Sequence, residues 1–282
     1  MAEMTYSYFP GCSLATTAKE NNDSLINFAK DLGITLKELG DWNCCGSSSA
    51  HSIDHTLADQ LAMRNLSLAP ADRPLLVACP SCNLRLQQAN IKLQEDEAAR
   101  RKYQEWFGQP APRDLHIMHF FELLDQLDWM AIRRQHAGRL NGLTFTPYYG
   151  CMLARPPAMR HMKNYYGIME KILSGLGATP VSWGYSSRCC GTFLSVVRPD
   201  VVTDMVRKIL ANAKHARADC IVTACAMCHM NLEVRSAAKA ALPIFHFSEI
   251  LALAFQHADT DAYFERHLID PRPMLKQYHL IL

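Results

Sequence analysis

Residues Leu75–Leu86 read LLVACPSCNLRL, and residues Ile221–Leu232 read IVTACAMCHMNL. Each stretch starts with an apolar run typical of a short buried strand, passes through a Cys-x-x-Cys motif and enters a segment with helical character. The same strand-to-helix turn therefore occurs once in each half of the chain. Such self-similarity over a long interval predicts a tandem duplication, in which each copy builds the same structural unit.

The segments around these two stretches repeat in the same order. A single cysteine, an adjacent cysteine pair followed by glycine, and the Cys-x-x-Cys motif are separated by 31 and 33 residues in the first half. The corresponding separations in the second half are 37 and 34 residues. Flanking segments match as well: YFPGC and YYGC at the single cysteines, and IMHFFELL and IFHFSEIL downstream of the Cys-x-x-Cys motifs. Chance rarely duplicates such spacing, so the pattern indicates a functional set of cysteines.

Strand and helix signals alternate in both halves, which is typical of an α/β fold with parallel sheets. In the first half, the patterns predict strands over residues 5–9, 34–39 and 75–78, and helices over residues 19–32, 56–68 and 82–106. In the second half, they predict strands over residues 143–149, 178–183, 220–224 and 243–246, and helices over residues 156–174, 200–216 and 228–240. We expect an α/β protein of two tandem homologous domains with mainly parallel sheets, related by a pseudo-two-fold axis. The domains would span residues 1–138 and residues 143–282, the second with a C-terminal tail.

The composition excludes several classes of protein. The chain has 282 residues, of which 49% are hydrophobic and 20% charged, so it can bury an ordinary core. Its net charge of +2 gives no electrostatic reason to expect nucleic acid or an anionic membrane as a partner. No apolar run approaches the roughly 18 residues of a transmembrane segment, and the start of the chain has no secretory signal pattern. We therefore expect a cytoplasmic protein whose cysteines serve metal binding or redox chemistry rather than structural disulfides.

Ten of the 11 cysteines belong to the duplicated pattern. Each follows a predicted strand or lies in the turn after it, and such turns converge at one edge of a parallel sheet. Each half should therefore bring its five cysteines together: Cys12, Cys44, Cys45, Cys79 and Cys82 in the first, and Cys151, Cys189, Cys190, Cys225 and Cys228 in the second. The eleventh, Cys220, has no counterpart in the first half, and we expect it to be an ordinary buried strand residue.

The number of cysteines in each set favours one kind of metal centre. A zinc site and a cubane iron–sulfur cluster each take four ligands, so a fifth thiolate is superfluous for either. Five thiolates suit a larger or open cluster, in which adjacent cysteines reach neighbouring irons. Glycines beside the cysteines would let backbone approach such a bulky group. These are Gly11, Gly46, Gly150 and Gly191. Nearby Arg85, Arg155 and Arg188 would either offset the negative charge or lie as ordinary surface residues.

Other polar residues near the motifs have more ordinary interpretations. His119 and His246 lie at equivalent predicted strand ends, where a hydrogen-bonded structural histidine is favoured over a proton donor. The serines that follow Gly46 are expected to cap a helix rather than to bond to a cluster. The tail from Tyr263 to Leu282 mixes apolar and basic residues, and it would either pack on its own domain or bind a partner subunit.

The duplicated cysteine pattern resembles the tandem CCG domains of the B subunit of heterodisulfide reductase. The similarity covers nearly the whole chain, including the opening YFPGCSL and the segment DWNCCG. It implies a noncubane [4Fe–4S] cluster in each CCG domain, bound by five cysteines. One cluster would lie on Cys12, Cys44, Cys45, Cys79 and Cys82, and the other on Cys151, Cys189, Cys190, Cys225 and Cys228.

The resemblance also implies an activity and partners. The chain would be the catalytic subunit of an oxidoreductase that cleaves or forms a disulfide, or processes bound thiol or sulfane sulfur, between its two clusters. Electrons would be exchanged with a C-type iron–sulfur subunit, and a flavin-containing A-type subunit would complete the complex. Such a complex would be cytoplasmic, or peripheral to the membrane through its partners.

Two alternatives remain open from the sequence. Similar CCG domains occur as electron-transfer subunits of succinate, glycolate and lactate dehydrogenase complexes that pass electrons to quinone, and such a subunit would show a quinone-sized apolar groove. A structural metal scaffold without redox activity would instead contain zinc and lack visible absorbance.

Overall fold

The computed structural model describes residues 4–48, 50–154, 165–236 and 242–282. Within these ranges it contains two four-stranded sheets in which every strand pairing is parallel. The first sheet, in the order β2-β1-β3-β4, consists of β1 (Met4–Phe9), β2 (Ile34–Glu38), β3 (Leu75–Val77) and β4 (Ile117–His119). The second sheet, in the order β6-β5-β7-β8, consists of β5 (Thr144–Tyr148), β6 (Thr179–Pro180), β7 (Cys220–Thr223) and β8 (Ile244–His246). The two orders are equivalent, which confirms the predicted α/β fold with two homologous halves.

Helices connect the strands in both halves. Those of the first half are α1 (Gly11–Ala15), α2 (Lys19–Asp31), α3 (Ala50–Ile53), α4 (His55–Leu68), α5 (Pro80–Glu95), α6 (Glu97–Phe107), α7 (Phe120–Gln126) and α8 (Trp129–His136). Those of the second half are α9 (Gly150–Ala154), α10 (Ile168–Gly175), a 3₁₀ turn (Thr192–Leu194), α11 (Pro199–His215), α12 (Ala226–Val234), α13 (Phe247–Ala254), α14 (Thr260–Phe264) and α15 (Arg272–Gln277). Among the described residues, no helix combines the length and the apolar character needed to cross a bilayer.

Helices cover both faces of strands β3 and β4. Strands β3 and β4 are buried at every residue, as parallel strands between two helical layers must be. Helix α5 begins directly after β3, with Pro80 at its first position, where the missing N–H costs nothing. Helix α2 ends at Asp31, and Gly33 adopts a φ of 71°, a left-handed conformation that ends helices at low cost in glycine. The predicted end of that helix is confirmed.

Two predicted elements differ from the structure. The single helix predicted over residues 82–106 is two helices, because the Asp96 side chain accepts hydrogen bonds from the N–H groups of Ala98 and Ala99 and so starts α6. The strand predicted over residues 178–183 is only Thr179–Pro180, at the sheet edge. On the neighbouring β5, Leu143 and Phe145 accept hydrogen bonds from this segment, and the next residue on that side, Pro147, has no N–H to extend the pairing.

Two other predicted helices are described only in part. The start of the helix predicted over residues 156–174 lies outside the described residues, and α10 begins at Ile168. Helix α12 begins at Ala226 and ends at Val234, and residues 237–241 lie outside the description.

The two halves share one hydrophobic core. Helix α2 of the first half packs against α13 and α14 of the second. The ring of Phe28 in α2 lies 6.2 Å from that of Phe120 and 5.0 Å from that of Phe255, measured between centroids. The hydroxyls of Ser24 and Ser248 are hydrogen-bonded at 2.7 Å in the same buried interface. The two halves are therefore held together by packed side chains as well as by the continuous backbone.

The C-terminal tail packs on its own chain. Phe264 and Leu275 are fully buried in the shared core. The Tyr278 hydroxyl donates a hydrogen bond of 2.6 Å to Asp219, which in turn accepts from the backbone N–H of Thr144 at the start of β5. Of the two interpretations of the tail, the structure confirms packing against the protein itself.

Candidate metal centre

All ten patterned cysteines lie just beyond the carboxyl ends of the strands, as predicted. In the first half they occupy α1, the loop after β2 and the start of α5. In the second half they occupy α9, the loop before the 3₁₀ turn and the start of α12. The strands within each sheet are parallel, so these loops come together at one edge.

The sulfur atoms within each half are in contact. In the first half, Cys44 Sγ lies 3.7 Å from Cys12 Sγ. Deeper in the same set, Cys45 Sγ lies 3.2 Å from Cys82 Sγ. In the second half, the equivalent deep contact joins the sulfurs of Cys190 and Cys228 at 3.3 Å, and Cys151 is the neighbour that most lowers the pKa of Cys189. Each half therefore gathers its cysteines in the same arrangement.

The two sets also touch each other. Helix α1 contacts α12 and α5 contacts α9, so the first cysteines of the two Cys-x-x-Cys motifs, Cys79 and Cys225, are neighbours. Contact between equivalent residues is what a two-fold relation between the halves predicts. The hydrogen bonds with Cys225 and Cys82, and those from the backbone at the start of α5, hold the pKa of the Cys79 thiol well below its usual value. The thiolate is the form that binds metal.

The exposure of the cysteines defines an inner and an outer side of the site. The cysteines of the two Cys-x-x-Cys motifs and the second cysteine of each adjacent pair are buried. Cys44 and Cys151 are half-buried, whereas Cys12 and Cys189 are exposed. Solvent and small molecules therefore reach the site from the side of the single cysteines and of the first cysteine of each adjacent pair. The buried side faces the shared interface.

The outer cysteines also have perturbed pKa values. Hydrogen bonds with neighbouring thiols, first of all Cys12, lower the pKa of Cys44. The equivalent hydrogen bond with Cys151 lowers the pKa of Cys189, whose sulfur also accepts the N–H of Gly191 at 3.3 Å. One thiolate is thus favoured in each outer pair, because the same hydrogen bonds raise the pKa of the partners Cys12 and Cys151.

Two of the four glycines lie against sulfur. Gly11 has a φ of 75°, and a Cβ atom added there would lie 2.8 Å from Cys82 Sγ. Gly150 has a φ of 68°, and a Cβ there would lie 3.4 Å from Cys228 Sγ. Any side chain at these positions would enter the space around the sulfurs. Their predicted role in making room beside the cysteines is therefore supported.

The other two glycines do not have the predicted role. A Cβ atom on Gly46 would meet Ala50 and Leu61, at 3.0 and 3.2 Å. On Gly191 it would meet Met205 and Val202, at 3.1 and 3.2 Å. These glycines therefore let the cysteine-pair loops pack closely on the helices behind them. The expectation that they face a bound group was wrong.

The nearby basic residues have other contacts. The Arg188 guanidinium stacks over the Tyr185 ring, 5.5 Å from its centroid, and Arg85 donates to the side chain of Gln88 at 3.5 Å. Arg155 lies outside the described residues. Of the serines after Gly46, Ser49 directly precedes α3 and also lies outside the description. A role for these arginines in neutralising thiolates stays a prediction.

The two histidines at the strand ends are structural. His119 accepts the N–H of Phe121 at Nδ1, and its Nε2 lies 3.1 Å from the carbonyl oxygen of Ala78. His246 contacts Ser248 in the same way at the start of α13. Burial lowers the pKa of both imidazoles to about 4, so both stay neutral near pH 7. The favoured interpretation, a hydrogen-bonded structural histidine, is confirmed.

Two features of this region escaped the sequence analysis. The contact between Cys79 and Cys225 joins two segments that are far apart in the chain, and no local pattern indicates it. A second cluster of buried charged side chains lies directly behind Cys228 and contains His229, Glu233 and His267. The spacing of the first two, one helical turn apart, is the only signal that sequence offers for it.

Comparison with known proteins places the chain in a family. The family model for the CCG cysteine-rich domain matches residues 6–87 and 145–233, which together make up more than half of the chain. The chain belongs to the CCG cysteine-rich domain family. Both matched segments contain a complete set of five cysteines.

Relatives of this CCG protein are subunits of reductase complexes. It is 28% identical to the 8-methylmenaquinol:fumarate reductase membrane anchor subunit of Wolinella succinogenes, covering 88% of this chain and 91% of the relative. It is 23% identical to the B subunit of the ferredoxin/F420H2-dependent CoB–CoM heterodisulfide reductase of Methanosarcina acetivorans, covering 93% of each. The B subunit of the ferredoxin:CoB–CoM heterodisulfide reductase of Methanosarcina mazei is 25% identical, covering 79% of this chain and 80% of the relative.

A solved structure shares the fold. A hypothetical protein from Helicobacter pylori superposes with a TM-score of 0.74 over 95% of this chain, at 11% sequence identity. The CCG protein spans about half of that solved chain, 52%. At this identity the likeness concerns the fold alone.

The donor atoms of the site fit an iron–sulfur centre. Each half offers soft thiol ligands and no competing carboxylate or imidazole from the duplicated pattern. Gly11 and Gly150 keep side chains away from the sulfurs. Together with the family, this donor set makes the chain a CCG iron–sulfur subunit, related both to the B subunit of heterodisulfide reductase and to a fumarate reductase anchor subunit.

Proposed function

We propose that the CCG protein is the catalytic iron–sulfur subunit of a heterodisulfide-reductase-like complex. In this proposal it cleaves or forms a disulfide, or processes bound thiol or sulfane sulfur. The observation that carries the proposal is that the two cysteine sets adjoin, since α1 contacts α12, α5 contacts α9, and Cys79 neighbours Cys225. Two one-electron centres held side by side suit a bond whose cleavage takes two electrons.

The proposal assigns one noncubane [4Fe–4S] cluster to each set of five cysteines. When bound, the clusters would supply electrons one at a time and iron sites with affinity for sulfur. The protein would hold them through the thiolates favoured at Cys44, Cys79 and Cys189. The buried cysteines would keep water from the inner side of the site, while the edge at Cys12 would admit substrate.

The reaction needs electrons and protons from outside this chain. Cleavage of one disulfide consumes two electrons and two protons and releases two thiols. The electrons would come from a C-type iron–sulfur subunit, which a flavin-containing A-type subunit would supply. The protons would come from solvent at the exposed edge, because His119 and His246 are neutral, buried and already hydrogen-bonded.

The proposal includes domain limits at residues 1–138 and 143–282, and a cytoplasmic complex that reaches a membrane only through its partners.

Electron paramagnetic resonance on the protein purified without oxygen tests this function. The protein should be brown, contain about eight irons from two four-iron clusters, and give a new signal when oxidised in the presence of a small thiol. The same oxidation in thiol-free buffer is the control. Zinc in place of iron at the ten cysteines, or an iron signal that no thiol changes, would contradict disulfide chemistry.

A second candidate function is electron transfer towards quinone in a flavin dehydrogenase complex of the succinate, glycolate or lactate type. The relative from Wolinella succinogenes, a subunit of an 8-methylmenaquinol:fumarate reductase, favours it. So does a groove of about 880 Å³ lined by apolar residues that include Leu32, Leu127 and Ile132. The groove volume suits a small organic molecule. However, Met4 also lines the groove, so it lies at the opposite edge of the first sheet from the cysteines.

A groove variant distinguishes the two candidates. Ala131→Trp would fill the groove with an indole ring without touching a cysteine. If quinone binds there, the rate at which a soluble menaquinol reduces the clusters should fall at least tenfold in the variant. The thiol-dependent signal should then be absent from the wild-type protein and from the variant. Disulfide chemistry predicts the thiol-dependent signal in both proteins.

A further inference from the structure

Three buried side chains behind the second cysteine set converge on one point. His229 and Glu233 lie one turn apart on α12, and His267 follows α14 in the tail. Glu233 Oε1 lies 3.1 Å from His267 Nδ1 and 3.6 Å from His229 Nε2. One potential ligand atom from each residue lies within 4.8 Å of the other two. The exposed fractions of the three side chains are 2%, 5% and 0%, in chain order.

These three atoms lack hydrogen bonds of acceptable geometry. His229 Nε2, Glu233 Oε1 and His267 Nδ1 have no such partner among the described residues, although each is buried. A buried polar atom without a partner destabilises the folded protein. Three of them aimed at one another are therefore unusual in a core. A cation between them would satisfy all three.

The surroundings hold each of these side chains in place for a ligand role. The backbone N–H of Leu268 donates to the other carboxylate oxygen of Glu233 at 3.0 Å. The distal nitrogen of His267, Nε2, lies 2.9 Å from Glu249, a carboxylate that also accepts the N–H of His246. A carboxylate on the distal nitrogen of a metal-binding histidine fixes its orientation and raises its basicity.

The third supporting group comes from the other half of the chain. The side-chain amide of Asn21 lies 3.0 Å from His229 Nδ1, and its oxygen has no partner. The oxygen and nitrogen of an amide are assigned from their hydrogen bonds. Turning this amide would let Asn21 Oδ1 accept a hydrogen bond from the Nδ1–H of His229, which leaves Nε2 of that ring free to bind metal.

We infer that His229, Glu233 and His267 form a binding site for a divalent cation of the zinc class. Two imidazoles and one carboxylate are a common zinc ligand set, and bonds of about 2.0–2.2 Å in a tetrahedron place ligand atoms about 3.3 Å apart. The measured distances of 3.1 and 3.6 Å lie on either side of that value. A fourth position would be taken by water. This site is separate from the ten cysteines, and the inference does not depend on the proposed function.

The cation would connect three parts of the fold. It would tie the tail residue His267 to α12, the helix that begins between Cys225 and Cys228. Through Asn21, the site also contacts α2 of the first half. Zinc does not change its oxidation state, so it would fix this helix without taking electrons from the cysteine site.

The alternative to a cation is a charged histidine between two carboxylates. Burial by itself lowers the pKa of His267, but Glu249 and Glu233 outweigh burial and raise it to about 10. A protonated His267 could then pair with both glutamates. It would leave His229 Nε2 unsatisfied in the core. The two arrangements differ in metal content, which can be measured.

Metal analysis of iron-replete protein tests the inference. The wild-type protein, incubated with stoichiometric zinc and desalted, should hold about one zinc per chain in addition to its iron. His267→Gln and Glu233→Gln should each lose this zinc and keep the iron. His279→Gln is the matched control, because it makes the same exchange at an exposed histidine of the same tail. Wild-type protein without zinc, or zinc retained in both site variants, would overturn the inference.

Two further measurements keep the test decisive if the site variants do not fold. Cobalt in the wild-type site should show ligand-field bands without the charge-transfer absorption of a cobalt–thiolate bond. Thiolate charge transfer would mean that the metal sits on cysteines, which contradicts the inference. Glu249→Gln should weaken zinc binding about 10–100-fold in competition with a chelator, because the carboxylate behind His267 is lost. Unchanged affinity in that variant would also count against the site.

Discussion

At the scale of single residues, the space beside the sulfur atoms depends on a position that has no Cβ atom. Gly11 and Gly33 have nearly equal φ angles of 75° and 71°, so replacing either by alanine introduces the same kind of backbone strain. Only at Gly11 would the new methyl group meet a sulfur, that of Cys82 at 2.8 Å. At Gly33 nothing lies within 4 Å. Comparing alanine substitutions at Gly11 and Gly33 therefore distinguishes the effect of backbone strain from the effect of crowding at the cysteines.

Gly11→Ala should lose iron, and Gly33→Ala should not. Both variants should be destabilised by about 1–3 kcal/mol, because alanine is strained at positive φ. In Gly11→Ala the iron content should also fall by about half, since only the first set of cysteines is disturbed. Iron analysis and chemical denaturation measure the two effects. Equal iron in the two variants would contradict the placement of Gly11 beside a cluster.

Sequence reasoning succeeds at this scale where a residue belongs to the repeat. The ten cysteines are found by their spacing, and Gly11 and Gly150 precede the single cysteine in both halves. The role of Gly46 and Gly191 was misassigned because both glycines flank cysteines, while the side chains that crowd them come from helices further along the chain. His267 could not be linked to His229, since that contact exists only once the tail folds back.

At the scale of elements, strand order and helix positions follow from apolar patterns, whereas breaks within helices depend on single side chains. Residues 82–106 carry a continuous helical pattern, yet the chain turns at Asp96, which ends α5 and caps α6. An aspartate inside a charged run gives no clear signal of a cap. Edge strand β6 is short for a comparable reason, since Pro147 of the neighbouring β5 has no N–H to extend its pairing.

Removing the cap should weaken the protein without affecting its iron. Asp96→Ala deprives two backbone N–H groups at the start of α6 of their acceptor, which costs about 0.5–2 kcal/mol. Neighbouring Glu97→Ala is the control, because it loses only an exposed ion pair with Arg101 and should change stability by less than about 0.5 kcal/mol. Urea denaturation gives both values. A smaller loss for Asp96→Ala than for the control would show that α5 and α6 do not depend on this cap.

At the scale of the whole molecule, the two halves are a single packed body. The duplicated sequence suggests two similar units but does not reveal how they meet. That information lies in contacts between α2 and the last helices, and in the sulfur contact between the two cysteine sets. Residues that are distant in sequence make these contacts, so no local pattern predicts them.

Phe28→Ala should destabilise both halves together. The Phe28 ring packs against Phe120 and Phe255, and deletion of a buried phenylalanine side chain costs about 3–5 kcal/mol. Because the core is shared, denaturation should remain one transition at lower denaturant, by circular dichroism and by loss of cluster absorbance. Two separate transitions would show that the halves fold independently.

The central claim is that two iron–sulfur clusters lie side by side, one on each set of five cysteines. Electron paramagnetic resonance of the partly and fully reduced protein tests it most directly, with Cys45→Ser as the variant that removes a proposed ligand of the first cluster. The contact between Cys79 and Cys225 predicts that the spins interact. The fully reduced wild-type spectrum should therefore be split or broadened, and Cys45→Ser should leave one narrow signal from the second cluster. Two independent signals in the fully reduced wild-type protein, unchanged in shape by the loss of either cluster, would contradict the account.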